Sequence, residues 1–77
     1  MKTYEPSEKD KKNIENNFKY HPATEDTNAK YEEIRATAKA FAMKLTLLCP
    51  PSRELSVAIT ELETAVFWAN AAIARNE

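Results

Sequence analysis

The sequence has no glycine and only one cysteine and one histidine. Without glycine it lacks the usual phosphate-binding loop, and its turns must come from Pro, Asn, Asp, Ser and Thr. Its single thiol, Cys49, cannot form an internal disulfide, and we interpret it as a small buried side chain. No spacing of His and Cys typical of a metal site is present. We therefore predict no catalytic residues, no metal and no cofactor.

The sequence also lacks an excess of charge of either sign. Eleven basic and 12 acidic residues are dispersed along the chain and give a net charge of −1, which argues against DNA as the main partner.

Met1–Pro6 has no apolar segment typical of a signal peptide, and the apolar run Ala65–Ala74 is too short to cross a bilayer. These features predict a soluble cytoplasmic protein with no membrane partner.

The chain of 77 residues has the size of one domain. A core of this size stabilises a fold by only about 3–5 kcal/mol, and neither disulfides nor metals are available to add to it. Association with further copies of the chain is the remaining ordinary way to stabilise so small a fold. The size of the chain therefore predicts an oligomer.

The four prolines divide a sequence rich in helix-forming residues. Ser7 is a suitable N-cap, His21 precedes a proline, and Pro50-Pro51 ends a helix and permits a new one. We predict a single all-α domain over residues 1–77, with a short N-terminal helix followed by an antiparallel hairpin of two long helices. The predicted segments are a short helix at 7–17, an extended linker at 18–23, and long helices at 24–49 and 51–76.

Each long helix carries an apolar stripe at alternating steps of three and four residues, which indicates the face that packs in the hairpin. The first stripe is Tyr31, Ile34, Ala38, Phe41, Leu45 and Leu48. The second stripe is Leu55, Ile59, Leu62, Val66, Ala69 and Ile73.

The last helix has more apolar surface than a hairpin can cover, because Phe67, Trp68 and several alanines lie off its stripe. These residues are typical of an interface with another chain, although Trp68 could instead cap the core of one chain. Asn70 lies among apolar neighbours, where a buried amide is costly unless it is hydrogen-bonded. We favour a role for Asn70 in setting helix register over direct contact with a ligand.

The linker is the strongest candidate for ligand binding. Phe18, Tyr20 and His21 offer aromatic faces for stacking on bases, and Lys19 and Arg35 offer charge for phosphates. The alternatives remain open: Phe18 could pack against the core, Tyr20 could close the hairpin, and His21 could serve only as a hydrogen-bonding side chain or, in principle, as a general base.

Several groups of residues resemble one known family, the phage anti-CBASS sponges. They are Phe18-x-Tyr20-His21-Pro22, Tyr31-Glu32-x-Ile34-Arg35-Ala36, Ser52-Arg53-Glu54-x-Ser56-x-Ala58 and Trp68-Ala69-Asn70-Ala71-x-Ile73-Ala74-Arg75. CBASS is a bacterial defence in which cyclic oligonucleotides activate a suicidal effector. The resemblance, which spans residues 17–76, implies a compact helical homo-hexamer in the cytoplasm of the infected host, which binds these messengers without degrading them.

The resemblance also implies two kinds of binding site. Tyr20 would stack on a base of a cyclic dinucleotide such as cGAMP, and Arg35 would contact its phosphate, in a pocket shared by two subunits. Thr37 and Arg75 would bind cyclic trinucleotides. Phe18 and His21 are further candidate ligand contacts. A hexamer with dihedral symmetry has twofold and threefold axes, which suit these two classes of ligand.

Two alternative functions come from other classes. The first is a helical oligomer that binds another protein through Phe67 and Trp68 and has no nucleotide ligand. The second is a phosphodiesterase, which would need metal ligands or an acid/base pair that the sequence does not provide.

Overall fold

The fold consists of three helices and no strands. The computed structural model describes residues 1–77. The elements in chain order are α1 (Glu8–Asn17), α2 (Glu25–Leu48) and α3 (Arg53–Asn76). The prediction of an all-α fold with a short helix and a helical hairpin is confirmed.

Each helix begins at a hydroxyl side chain that caps it. The oxygens of Ser7, Thr24 and Ser52 accept the main-chain N–H three residues later, at N···O distances of 3.0, 3.1 and 3.1 Å. The hydroxyl oxygen of Thr27 in turn accepts a hydrogen bond from the main-chain N–H of Thr24 and completes a capping box. An N-cap of this kind stabilises a helix by about 0.5–2 kcal/mol. The caps therefore fix where the linker ends and the hairpin starts.

The turn between the long helices is made without any left-handed residue. Cys49 leaves α2 in an extended conformation, with φ −109° and ψ 139°, as expected before a proline. Pro50 and Pro51 lie in the turn, and α3 begins at Arg53 because Ser52 takes the cap position. No residue of the chain has a positive φ angle, which explains how the fold forms without glycine.

The two long helices pack along one seam. All six stripe residues predicted on α3 are half-buried in the structure. On α2 the predicted stripe is wrong at two positions, because Phe41 is 52% exposed and Leu48 is 72% exposed. Ala42 and Cys49 are half-buried there instead. At 3.6 residues per turn, the step of four from Ala38 leads to Ala42, and the small side chain lets α3 approach closely.

No residue of the isolated chain is fully buried. The molecule measures 50 × 40 × 14 Å, so its thinnest dimension is little more than the diameter of one helix, about 10–12 Å. Twelve large apolar side chains are exposed, among them Phe67 at 67% and Trp68 at 64%. The predicted surplus of apolar surface on α3 is therefore present in the structure.

The helix α3 is long and apolar enough to cross a membrane when length and composition alone are considered. The apolar run Ala65–Ala74, which is too short by itself, is only part of this helix. The helical stretch of 24 residues exceeds the roughly 20 that a bilayer requires. Core helices of soluble proteins pass the same test, so this property alone does not assign α3 to a membrane.

Candidate ligand-binding site

The polar contacts between distant parts of the chain gather where α2 begins, α3 ends and the linker crosses between them. We call this region the open end of the hairpin and define it as residues 16–31 and 73–77. A concavity of about 380 Å³ lies there. Its walls include His21 from the linker, Tyr31 from α2 and Ile73 from α3. The volume is within the range of small-molecule sites, about 300–1,000 Å³.

Asn16 connects the last turn of α1 to the end of α3. Its side-chain Nδ2 donates a hydrogen bond of 3.0 Å to the main-chain oxygen of Arg75, 59 residues away. The main-chain oxygen of Asn16 accepts a hydrogen bond of 2.8 Å from Nε2 of His21. Because a carbonyl oxygen can only accept, the proton of this bond resides on Nε2 of the imidazole. The linker is thus folded back onto α1.

An ion pair closes the open end on its other side. Lys30 of α2 pairs with Glu77, which follows α3, and also lies 3.6 Å from Asp26 one turn earlier. The hydrogen bond that Lys30 donates to Glu77 raises the pKa of Lys30 above its ordinary value of 10.5, and the charges of Glu77 and Asp26 act in the same direction. The lysine side chain is 42% exposed, so solvent and salt screen the pair strongly.

The aromatic residues of the linker differ in their exposure. Tyr20 is 82% exposed and Phe18 is also exposed, whereas His21 is half-buried through its contact with Asn16. Because most of the surface of each ring is open to solvent, both rings are available for stacking. The geometry thus gives His21 a structural contact and leaves the two larger rings open.

Arg35 lies on an exposed part of α2. None of the four concavities of the single chain is lined by Tyr20 or by Arg35. The structure of one chain therefore does not bring together the two residues predicted for the dinucleotide site.

Thr37 and Arg75, predicted for trinucleotides, also lie apart. Thr37 borders a mostly apolar groove of about 450 Å³ between α2 and α3, next to Phe41 and Val66. Arg75 is half-buried at the end of α3, and its guanidinium carbon lies 6.0 Å from the centre of the Trp68 ring. This distance is at the outer limit of a cation–π contact. The roles of these two residues in binding remain predictions.

Asn70 presents an unusual feature of α3. Its Oδ1 is buried and has no hydrogen-bond partner within the chain. A buried acceptor without a donor costs about 1–3 kcal/mol. The predicted role of Asn70 in setting register with a partner helix would supply that donor from outside the chain.

Two contacts of the open end are not predicted by the sequence. They are the hydrogen bond from Asn16 to Arg75 and the pairing of Lys30 with Glu77. Both contacts join residues far apart in the sequence, so no local pattern indicates them. One signal in the sequence could have suggested these two contacts. It is the presence of polar residues at helix ends that meet in a hairpin.

The side chains of the open end are suited to binding a small molecule rather than a metal ion. No group of three or more His, Cys, Asp or Glu residues is arranged to hold a metal ion. The concavity instead combines hydroxyls, aromatic rings and the two carboxylates of Asp26 and Glu77. The hydroxyls and rings are groups that bind nucleotides through hydrogen bonds and stacking.

The comparison with family models gives one match. Residues 10–74 match the model described as Acb2/Tad1, hairpin domain, which covers more than half of the chain. The matched segment includes most of α1, the whole linker, α2 and nearly all of α3. No curated protein and no solved structure matches the chain. The chain belongs to the Acb2/Tad1 hairpin domain family, the anti-CBASS sponges, which sequester signalling molecules rather than act as enzymes.

Proposed function

We propose that the chain binds cyclic di- and trinucleotides, holds them without cleavage and so prevents activation of CBASS effectors in the cytoplasm of an infected bacterium. The family match over residues 10–74 carries this proposal, because it includes the linker with the exposed Tyr20. Sequestration of a ligand requires no catalytic residues, which agrees with a chain that has one histidine and one cysteine.

The dinucleotide site takes Tyr20 for base stacking and Arg35 for phosphate. Since the two residues share no concavity within one chain, the site requires Tyr20 of one subunit and Arg35 of another. A twofold axis would present each residue twice to a ligand that itself has near-twofold symmetry. The exposed Phe18 stacks beside Tyr20, while His21 holds the linker.

The trinucleotide site takes Arg75 and Thr37. Arg75 lies at the end of α3, where three copies around a threefold axis would place three guanidinium groups near three phosphates. Trp68 orients the arginine in the free chain through the contact of 6.0 Å. Thr37 supplies a hydroxyl at the edge of the apolar groove.

Both sites require an oligomer, which we assign as a homo-hexamer. The exposed Phe67 and Trp68 and the lack of any fully buried residue support association, because apolar surface of this extent is normally covered. The apolar surface of α3 is better suited to contact with protein than to contact with lipid. Glu61 and Glu63 lie near the middle of the helix, and acidic side chains at the centre of a bilayer are costly.

A helical module that binds another protein is the second candidate function. The exposed Phe67 and Trp68 on α3 favour it, because aromatic side chains are typical anchors of protein interfaces. This candidate requires no nucleotide ligand, which makes the two functions separable by one experiment.

Native mass spectrometry of the protein with a panel of cyclic di- and trinucleotides tests the assignment. We expect a hexamer whose mass increases by that of each bound ligand. Denaturing the complex and analysing the released nucleotide by chromatography should then return every ligand intact.

Three results would contradict the proposal. A folded monomer would remove the shared sites, and cleaved nucleotide would indicate a phosphodiesterase. A hexamer that binds no member of the panel would favour the protein-interaction module.

A further inference from the structure

The connection between the linker and the hairpin depends on one side chain. Asn16 makes the only hydrogen bond that joins residues 1–23 to the remainder of the chain, through its Nδ2 and the carbonyl oxygen of Arg75. Among the helices, only α2 and α3 pack extensively, so α1 receives little support from the hairpin. Removal of this bond would therefore release the linker while leaving the hairpin intact.

The main chain of Asn16 also contacts the linker. Its carbonyl oxygen accepts the hydrogen bond from His21, which is the neighbour of Tyr20. The Tyr20 ring is 82% exposed and makes no side-chain hydrogen bond of its own. The main-chain N–H of Lys19 donates to the same carbonyl oxygen at 3.4 Å. The hydrogen bonds at Asn16 thus restrain the position of the ring relative to the hairpin.

We infer that Asn16 is a positioning residue that holds Tyr20 ready to stack on a cyclic dinucleotide. The inference rests on the proposed function of Tyr20. A linker that is fixed before binding loses less conformational entropy when the ligand arrives, and the affinity is correspondingly higher. Arg75 contributes only its main-chain oxygen to this contact, so its guanidinium remains free for another ligand.

Asn16→Asp tests the inference, because aspartate has nearly the same shape but cannot donate to a carbonyl when ionised. Asn17→Asp is the matched control, since it adds the same charge one residue later, where no side-chain hydrogen bond is made. By calorimetry we expect Asn16→Asp to weaken cyclic dinucleotide binding about tenfold, the effect of one lost hydrogen bond. Trinucleotide affinity and the mass of the assembly should not change.

A double-mutant cycle separates positioning from a general structural effect. In a Tyr20→Ala background, Asn16→Asp should cause no further loss of dinucleotide affinity, because Asn16 acts through the tyrosine ring. An equal loss in both backgrounds would overturn the inference. So would a parent-like affinity for Asn16→Asp, even though the proposed function would then stand.

A measurement without ligand keeps the two proposals distinguishable. Heteronuclear NOE values of residues 18–21 should show an ordered linker in the parent and in Asn17→Asp and a mobile one in Asn16→Asp. If the parent binds no dinucleotide, the proposed function fails, and these values still decide whether Asn16 holds the linker. A linker equally ordered in all three proteins would contradict the role of Asn16.

Discussion

The two ends of the hairpin are built differently. At the open end, Asn16 and Lys30 reach residues 59 and 47 positions away in the sequence through polar contacts. At the turn, Ser52 makes hydrogen bonds only to its near neighbours, and Leu47 and Leu48 are exposed. The open end is therefore organised within one chain, whereas the turn presents apolar surface that only another molecule can cover.

This difference predicts where ligand specificity lies. A site for a charged ligand needs polar groups that are already oriented, and the open end holds Tyr20 and Arg75, one residue of each proposed site. We expect the exposed apolar surface of the turn and of the outer face of α3 to form contacts between subunits instead. Substitutions of the same kind at the two ends should therefore have different consequences.

The largest effect should come from Arg75→Ala, with Arg53→Ala at the opposite end of α3 as its control. We expect Arg75→Ala to abolish cyclic trinucleotide binding and to spare dinucleotides. One substitution removes several guanidinium contacts from a threefold site, and each is worth about 1.5–3 kcal/mol. Calorimetric titration of both variants with both ligand classes measures this.

Two outcomes would argue against a trinucleotide site at Arg75. If Arg75 only interacts with the negative end of its own helix, the variant would lose about 0.3–1 kcal/mol of stability and would bind ligand normally. If Arg75→Ala weakens both ligand classes equally, one pocket serves both.

A smaller effect should follow from Tyr20→Ala. The lost base stack should weaken cyclic dinucleotide binding by about 1–3 kcal/mol without changing the mass of the assembly. Tyr4→Ala is a close control, because Tyr4 is 79% exposed and Tyr20 is 82% exposed. Arg35→Ala should act like Tyr20→Ala through the lost phosphate contact. Parent-like dinucleotide binding by both site variants would place the pocket elsewhere.

The smallest effect should come from Glu77→Gln, which breaks the ion pair at the open end. The folded-state pKa of Lys30 is raised above 10.5, so its contribution to stability is present at neutral pH and is lost as the pH rises through that raised value. In the variant, the pKa of Lys30 should return toward 10.5, as measured by NMR titration.

Salt provides the control for this last prediction. Glu77→Gln should lower Tm slightly at low ionic strength, and the difference from the parent should disappear at about 1 M salt, where charges are screened within about 3 Å. Asp26→Asn, which alters the longer contact of 3.6 Å, should have less effect. A difference in Tm that persists at high salt would show that Glu77 acts by packing rather than charge.

The helical hairpin was predictable because its determinants are local. Hydroxyl residues mark the helix starts, prolines mark the turn, and the α3 stripe follows the helical period at all six positions. On α2 the same reasoning chose Phe41 where the structure half-buries Ala42. Hydrophobicity ranks phenylalanine above alanine, but the rotation of the helix over several turns decides which one faces α3.

The candidate site was only partly predictable. The proline after His21 predicted an extended linker, and the structure shows that Tyr20 within it is exposed. The bond from Asn16 to Arg75 depends on how the end of α3 meets α1, which no local pattern encodes. In the proposed dinucleotide site, Tyr20 meets Arg35 of another subunit, and the sequence indicates this pairing only through resemblance to the family.

The absence of positive φ angles affects how the sequence can change. Left-handed positions usually admit only glycine or asparagine, and they constrain the evolution of many small proteins. Here no backbone position requires glycine for steric reasons. Residues of the linker and of the helix ends can therefore be exchanged without strain in the main chain, so that this scaffold can acquire a new ligand preference through side chains alone.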